Sequence, residues 1–133
     1  MKILVIEDHP TQLKLAHLVL AAAGHEVRDA AAAEQAFTTI KADRPQLILL
    51  DLVLPDIDGL ALVRRLKSDP HTRDIHIVAV TSYPERYPKV AAISAGCDAY
   101  FVKPIDTRRI SDQLACIAGD ATPAGNLADD RNP

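Results

Sequence analysis

Residues 45–51 read PQLILLD. The aliphatics Leu47 to Leu50 show no alternation of apolar and polar positions, so a strand here has both faces out of water, as the strands of a parallel sheet do. The run stops at a carboxylate, Asp51, and LVLPDIDG follows, residues 52–59. Its Pro, Asp and Gly residues spell a turn. The helix-length stretch LALVRRLKSD, residues 60–69, comes next, with Asp58 placed to cap it. Strand, turn and amphipathic helix make half of a βαβ unit.

The same unit recurs on both sides. KILVI, residues 2–6, is a strand, and the segment 10–24 is a helix with Pro10 in its first turn and Gly24 at its stop. HEVRDA, residues 25–30, is a short strand before a helix over 32–43. Beyond the central unit, IHIVAV, residues 75–80, and AYFV, residues 99–102, are strands. A helix over 89–96 lies between them and another occupies the segment 103–119, capped by Asp106 or Thr107. Pro84 and Pro88 cannot both sit inside a helix, because each removes an amide donor and crowds the preceding turn. The fourth helix therefore starts near Pro88 and is short.

Strict alternation of strands and helices implies right-handed crossovers and an α/β domain, a doubly wound five-stranded parallel sheet covered on both faces. With 133 residues the expected closure is the flavodoxin-like (βα)5 order 2-1-3-4-5. One domain is expected over residues 1–118. A disordered polar tail is expected over 119–133, where GDATPAGNLADDRNP has no apolar periodicity.

Sites in such sheets form at the carboxyl ends of the strands where the strand order reverses. Here that point lies between the first and third strands. Glu7 and Asp8 end the first and Asp51 ends the third, so three carboxylates converge. Carboxylates held close repel one another unless a cation or protons intervene. All-oxygen ligands favour Mg2+, with Mn2+ as an alternative. Thr81, a hydroxyl, ends the fourth strand, and Lys103, an ammonium, follows the fifth just before Pro104. A carboxylate nucleophile, a divalent ion, a hydroxyl and an ammonium are what phosphoryl transfer requires.

EDH after the first strand, DLVLPDIDG after the third, TS after the fourth and AGCDAYFVKP around the fifth resemble the receiver domain of two-component response regulators. The resemblance covers residues 2 to about 118. It implies that Asp51 is the phosphoacceptor, taking a phosphoryl group from the phosphohistidine of a sensor histidine kinase or histidine phosphotransfer protein. By the same resemblance Asp8 is the main Mg2+ carboxylate, Glu7 acts through a metal-bound water, and Asp51 and the backbone carbonyl of Val53 complete the protein ligands. Lys103 bridges to the phosphoryl oxygens, Thr81 and Tyr100 form a switch pair, and the Lys103–Pro104 bond is cis. Ser82 replaces the very small residue commonly seen after the switch threonine. The implied function is a stand-alone signalling switch, not an enzyme, that promotes its own phosphorylation and dephosphorylation. It acts on an unidentified downstream protein as a monomer or a phosphorylation-dependent dimer.

Other readings fare less well. An Asp-nucleophile phosphatase needs a second Asp two residues after the first, where Val53 stands. An FMN module needs a Gly-rich and hydroxyl-rich loop after the first strand, where EDHPTQ offers carboxylates that repel phosphate. A receiver cut from a larger regulator remains an alternative. The net charge of −3, without a basic block, gives no indication of direct nucleic-acid binding. Two isolated cysteines and no apolar run of about 18 residues suggest a cytoplasmic protein without membrane insertion. Asp56 and Asp58 serve turn geometry and helix capping, the five histidines are expected in solvated surface positions, and Cys97 and Cys116 are expected to pack.

Overall fold

In a computed structural model, which describes residues 1–119, the chain alternates strand and helix from end to end. The order is β1 (Lys2–Ile6), α1 (Pro10–Ala22), β2 (Glu26–Ala30), α2 (Ala33–Ala42), β3 (Leu47–Asp51), α3 (Gly59–Ser68), β4 (His76–Thr81), α4 (Lys89–Ala95), β5 (Ala99–Val102) and α5 (Ile110–Ile117). The strands form one sheet in the order β2-β1-β3-β4-β5, every neighbouring pair parallel. This is the doubly wound architecture expected from the alternation. The proposed polar tail lies, from residue 120 on, outside the described residues. No helix among the described residues is long and apolar enough to cross a membrane.

Side chains alternate across a strand, so each strand feeds two cores. Leu4, Ile6, Ile48, Leu50, Ile77, Ala79 and Tyr100 share a cluster with Ala36 and Ile40 of α2, Leu62 and Leu66 of α3 and Ala92 of α4. Ile3, Val5, Leu47, Leu49, Val78, Val80 and Ala99 face the other way, onto Leu20 of α1 and Ile110 and Leu114 of α5. β3 is buried at every position, which is why its sequence is a continuous apolar run.

Local chemistry sets the helix ends. Asp58 Oδ1 accepts from Leu60 N at 2.9 Å and caps α3. Asp56 caps a different helix: its carboxylate accepts from Ala33 N and Glu34 N, each at 3.0 Å, at the start of α2, whose own preceding residue is Ala32. These bonds hold the Asp56 carboxyl below the usual range. Gly59 packs so closely that a Cβ there would stand 2.5 Å from the Leu52 backbone. α4 begins after Pro88 and stops at Gly96, whose φ of 121° suits a residue without a side chain.

Two expectations are corrected. α5 starts at Ile110, and neither Asp106 nor Thr107 caps it through a side chain. Asp106 instead closes a preceding turn: Oδ1 accepts from Arg108 N at 3.0 Å, and its carbonyl accepts from Arg109 N and Ile110 N. His25 is not a solvated histidine. It is half-buried, with Nε2 2.8 Å from Ser111 Oγ, and links the start of β2 to α5. Cys97 is buried and Cys116 half-buried, both as free thiols, and burial pushes the Cys97 thiol up to about 12.

Candidate functional site

The parallel register aligns the strand ends. Ile6 pairs with Leu50, Asp51 with Val80 and Thr81 with Val102, so the residues that follow β1, β3, β4 and β5 emerge along one edge. Glu7 N extends the ladder by bonding Ala30 O at 3.0 Å, and Lys103 N bonds Thr81 O at 2.9 Å. Backbone bonds thus fix the roots of Glu7 and Lys103 before any side chain is considered.

Glu7, Asp8 and Asp51 come together as expected, one carboxylate oxygen from each lying within 4.8 Å of the others. Glu7 and Asp51 are buried, whereas Asp8 faces solvent. Lys103 reaches into this group: Nζ lies 2.5 Å from Glu7 Oε1 and 2.9 Å from Asp51 Oδ2. The remaining oxygens take backbone donors, Asp51 Oδ1 from Val53 N at 2.9 Å and Glu7 Oε2 from His9 N at 3.2 Å. The Lys103–Pro104 peptide is cis.

One ammonium does not balance three carboxylates. Burial, reinforced by the neighbouring Asp51, pushes the Glu7 carboxyl up to about 7, against the pull of Lys103. Burial draws the Lys103 ammonium down, but its bonds to Glu7 and Asp51 outweigh that and hold it above its ordinary value. The uncompensated negative charge, the all-oxygen donors and the solvent-facing Asp8 fit a hard divalent cation.

Thr81 is fully buried, and its Oγ1 accepts from Tyr83 N at 2.9 Å. Tyr100, also buried, packs in the α2–α3–α4 core, and its hydroxyl donates to the Tyr87 carbonyl. Two residues of this neighbourhood escaped the sequence reading. Tyr87 anchors Tyr100, and Gln12, in the first turn of α1, offers Oε1 to the Lys103 ammonium. The one available clue to Gln12 was its place where α1 opens toward the carboxylates.

Comparison with known proteins points to one family. The family described as "Response regulator receiver domain" matches residues 3–115. The polar-differentiation response regulator DivK of Brucella anthropi is 31% identical over 119 residues, which span 90% of this chain and 97% of that protein. A putative response regulator from Chloroflexus aurantiacus superposes with a TM-score of 0.83 at 31% identity, covering 89% of this chain and 97% of the other. The receiver domain of a sensor histidine kinase from Pseudomonas aeruginosa, described with a magnesium ion coordinated in its active site cleft, gives a TM-score of 0.80 at 26% identity over 89% and 97% of the two chains.

Proposed function

The chain belongs to the response regulator receiver domain family, and from that premise we propose that Asp51 accepts a phosphoryl group and that the protein then signals through altered protein contacts. The observation that carries this reading is the Lys103 ammonium held between the buried Glu7 and Asp51 carboxylates, beside the exposed Asp8.

The donor class that fits is a phosphohistidine on a histidine kinase or phosphotransfer protein. An Asp51 oxygen attacks phosphorus, the new O–P bond forms, and the P–N bond breaks with its electron pair returning to the imidazole. Lys103 meets the negative charge on the transferred oxygens. Thr81 Oγ1 now only accepts, from Tyr83 N, so its proton remains to be donated to a phosphoryl oxygen. Tyr100 follows that movement as the second member of the switch pair. The same groups serve the protein's own phosphorylation by small donors and its hydrolysis back to the carboxylate.

Glu7, Asp8, Asp51 and the Val53 carbonyl are the residues that would hold the cation, and Mg2+ suits them best. Bound there, a divalent ion supplies positive charge that offsets the carboxylates and the phosphoryl oxygens. The magnesium described for the Pseudomonas receiver supports the assignment.

Intact mass after incubation with phosphoramidate, with and without Mg2+, tests the reading. A Mg2+-dependent gain of one phosphoryl group that Asp51→Asn abolishes is the expected result. A gain that survives in Asp51→Asn, or no gain under conditions that modify a known receiver, overturns it.

A further inference from the structure

An ammonium has three protons to donate. Those of Lys103 meet Glu7 Oε1, Asp51 Oδ2 and Gln12 Oε1, so the donor that must serve an incoming phosphoryl oxygen is already saturated. One partner has to leave. Glu7 and Asp51 are buried acidic side chains that hold the ammonium at 2.5 and 2.9 Å, and bonds from an ammonium to carboxylates are the strong ones. Gln12 is neutral and solvent-exposed, and its long side chain is held in place at an entropic cost.

We propose that Gln12 is a positioning residue for the reaction at Asp51, an exchangeable latch that occupies the third proton of Lys103 and is displaced when a phosphoryl oxygen arrives. The inference rests on the function proposed above. Its geometric basis is separate: Gln12 enters from α1, 91 positions away from Lys103 in sequence, and lines the same cavity of about 350 Å3 as Glu7, Asp51, Ser82 and Lys103.

The direction of the effect follows from what remains once Gln12 is removed. Glu7 and Asp51 still fix the ammonium, so Lys103 keeps its place, and the freed proton is available to the crevice without an exchange. Replacing Gln12 with an apolar side chain of similar size therefore strengthens the hold on a phosphoryl group. Replacing it with a carboxylate supplies a competitor that is harder to displace.

Beryllofluoride with Mg2+ serves as the phosphoryl mimic, titrated calorimetrically into wild type, Gln12→Leu and Gln12→Glu. Alongside, the Lys103 ammonium is followed by 15N NMR in the metal-free proteins. We expect Gln12→Leu to bind the mimic about three- to tenfold more tightly than wild type, the range of one exposed hydrogen bond, and Gln12→Glu to bind it more weakly. The Lys103 ammonium exchanges its protons faster in Gln12→Leu than in wild type, a change that a merely structural role for Gln12 would not produce. Unchanged or weaker binding by Gln12→Leu, or an unaltered Lys103 signal, overturns the latch while leaving the function of Asp51 intact. A wild-type protein that binds no mimic and gains no phosphoryl mass overturns both.

Discussion

The Lys103 ammonium stands 2.5 Å from the Glu7 carboxylate across 96 positions of chain. Neither side chain reaches far into solvent, at 13% and 8% exposure. A strand that ends in buried carboxylate is costly by itself. Here the cost is offset by a cation delivered from the opposite half of the sheet, where the backbone bond from Lys103 N to Thr81 O fixes its root. The stability of the site and its chemistry therefore share the same groups.

Removing the cation leaves two crowded carboxylates uncompensated. Lys103→Met is expected to lower the stability of the metal-free protein by about 3 kcal/mol, the lower end for breaking a buried pair. Adding Glu7→Gln recovers much of that loss, because it removes the charge left behind. Urea unfolding of the two single variants and the double variant measures the coupling. Additive losses would show that the pair contributes nothing beyond its separate members.

Asp56 bonds Ala33 N and Glu34 N across 23 and 22 positions of chain and is the side chain that caps α2. Asp56→Ala is expected to lower the melting temperature by about 3–6 °C at neutral pH. The sign of the pH dependence follows from the direction of its shift. These backbone bonds depress the folded carboxyl, so its contribution is fully present above the unfolded value of about 3.9 and is lost as pH falls through the lower folded value. Melting curves of wild type and variant should therefore converge as pH falls below the ordinary carboxylate range. A gap that persists there would mean that the lost bonds do not depend on ionisation.

Much of the fold was legible because it rests on local signals. Continuous apolar runs marked the inner strands, Asp58 announced α3, and Pro88 set the start of α4. The convergence of Glu7, Asp8 and Asp51 followed from topology, since parallel strands place their ends on one edge. What stayed hidden depends on partners distant in sequence. Ala32 precedes α2 and cannot cap it, and nothing near α2 points to Asp56. Gln12 is an ordinary polar residue in a helix until Lys103 is placed above it. The late start of α5 has a local cause instead, because Asp106 uses its side chain on the turn before the helix.

Gly59 lies where α3 meets the chain leaving Asp51, and its amide bonds Leu52 O at 3.0 Å. An added Cβ would stand 2.5 Å from both Leu52 Cα and Leu52 O, backbone atoms that cannot swing aside. Gly59→Ala is expected to destabilise by about 1–3 kcal/mol, as overpacking does. Leu52 adjoins Asp51, the proposed acceptor, so the same shift is expected to slow phosphorylation by phosphoramidate. Wild-type stability together with a wild-type phosphorylation rate would show that the Leu52 backbone yields without consequence.

Tyr100 and Tyr87 are both buried, and the hydroxyl of the first donates to the carbonyl of the second. That bond ties β5 to the segment between β4 and α4, whose own bonds are Tyr87 N to Tyr83 O at 2.9 Å and Arg86 N to Tyr83 O at 3.0 Å. Tyr83 N in turn bonds the Thr81 hydroxyl, so hydrogen bonds link Thr81 to Tyr100 through this segment, the route that the proposed movement of Thr81 would use. Tyr100→Phe keeps the ring and deletes the donor. It is expected to cost about 1–2 kcal/mol, because the Tyr87 carbonyl is left buried without that donor. Amide exchange at Arg86 and Tyr87 should speed up in the variant while the amides of β1 and β3 stay protected. Equal exchange at those two amides would mean that the segment is held by its own turn and that Tyr100 does not restrain it.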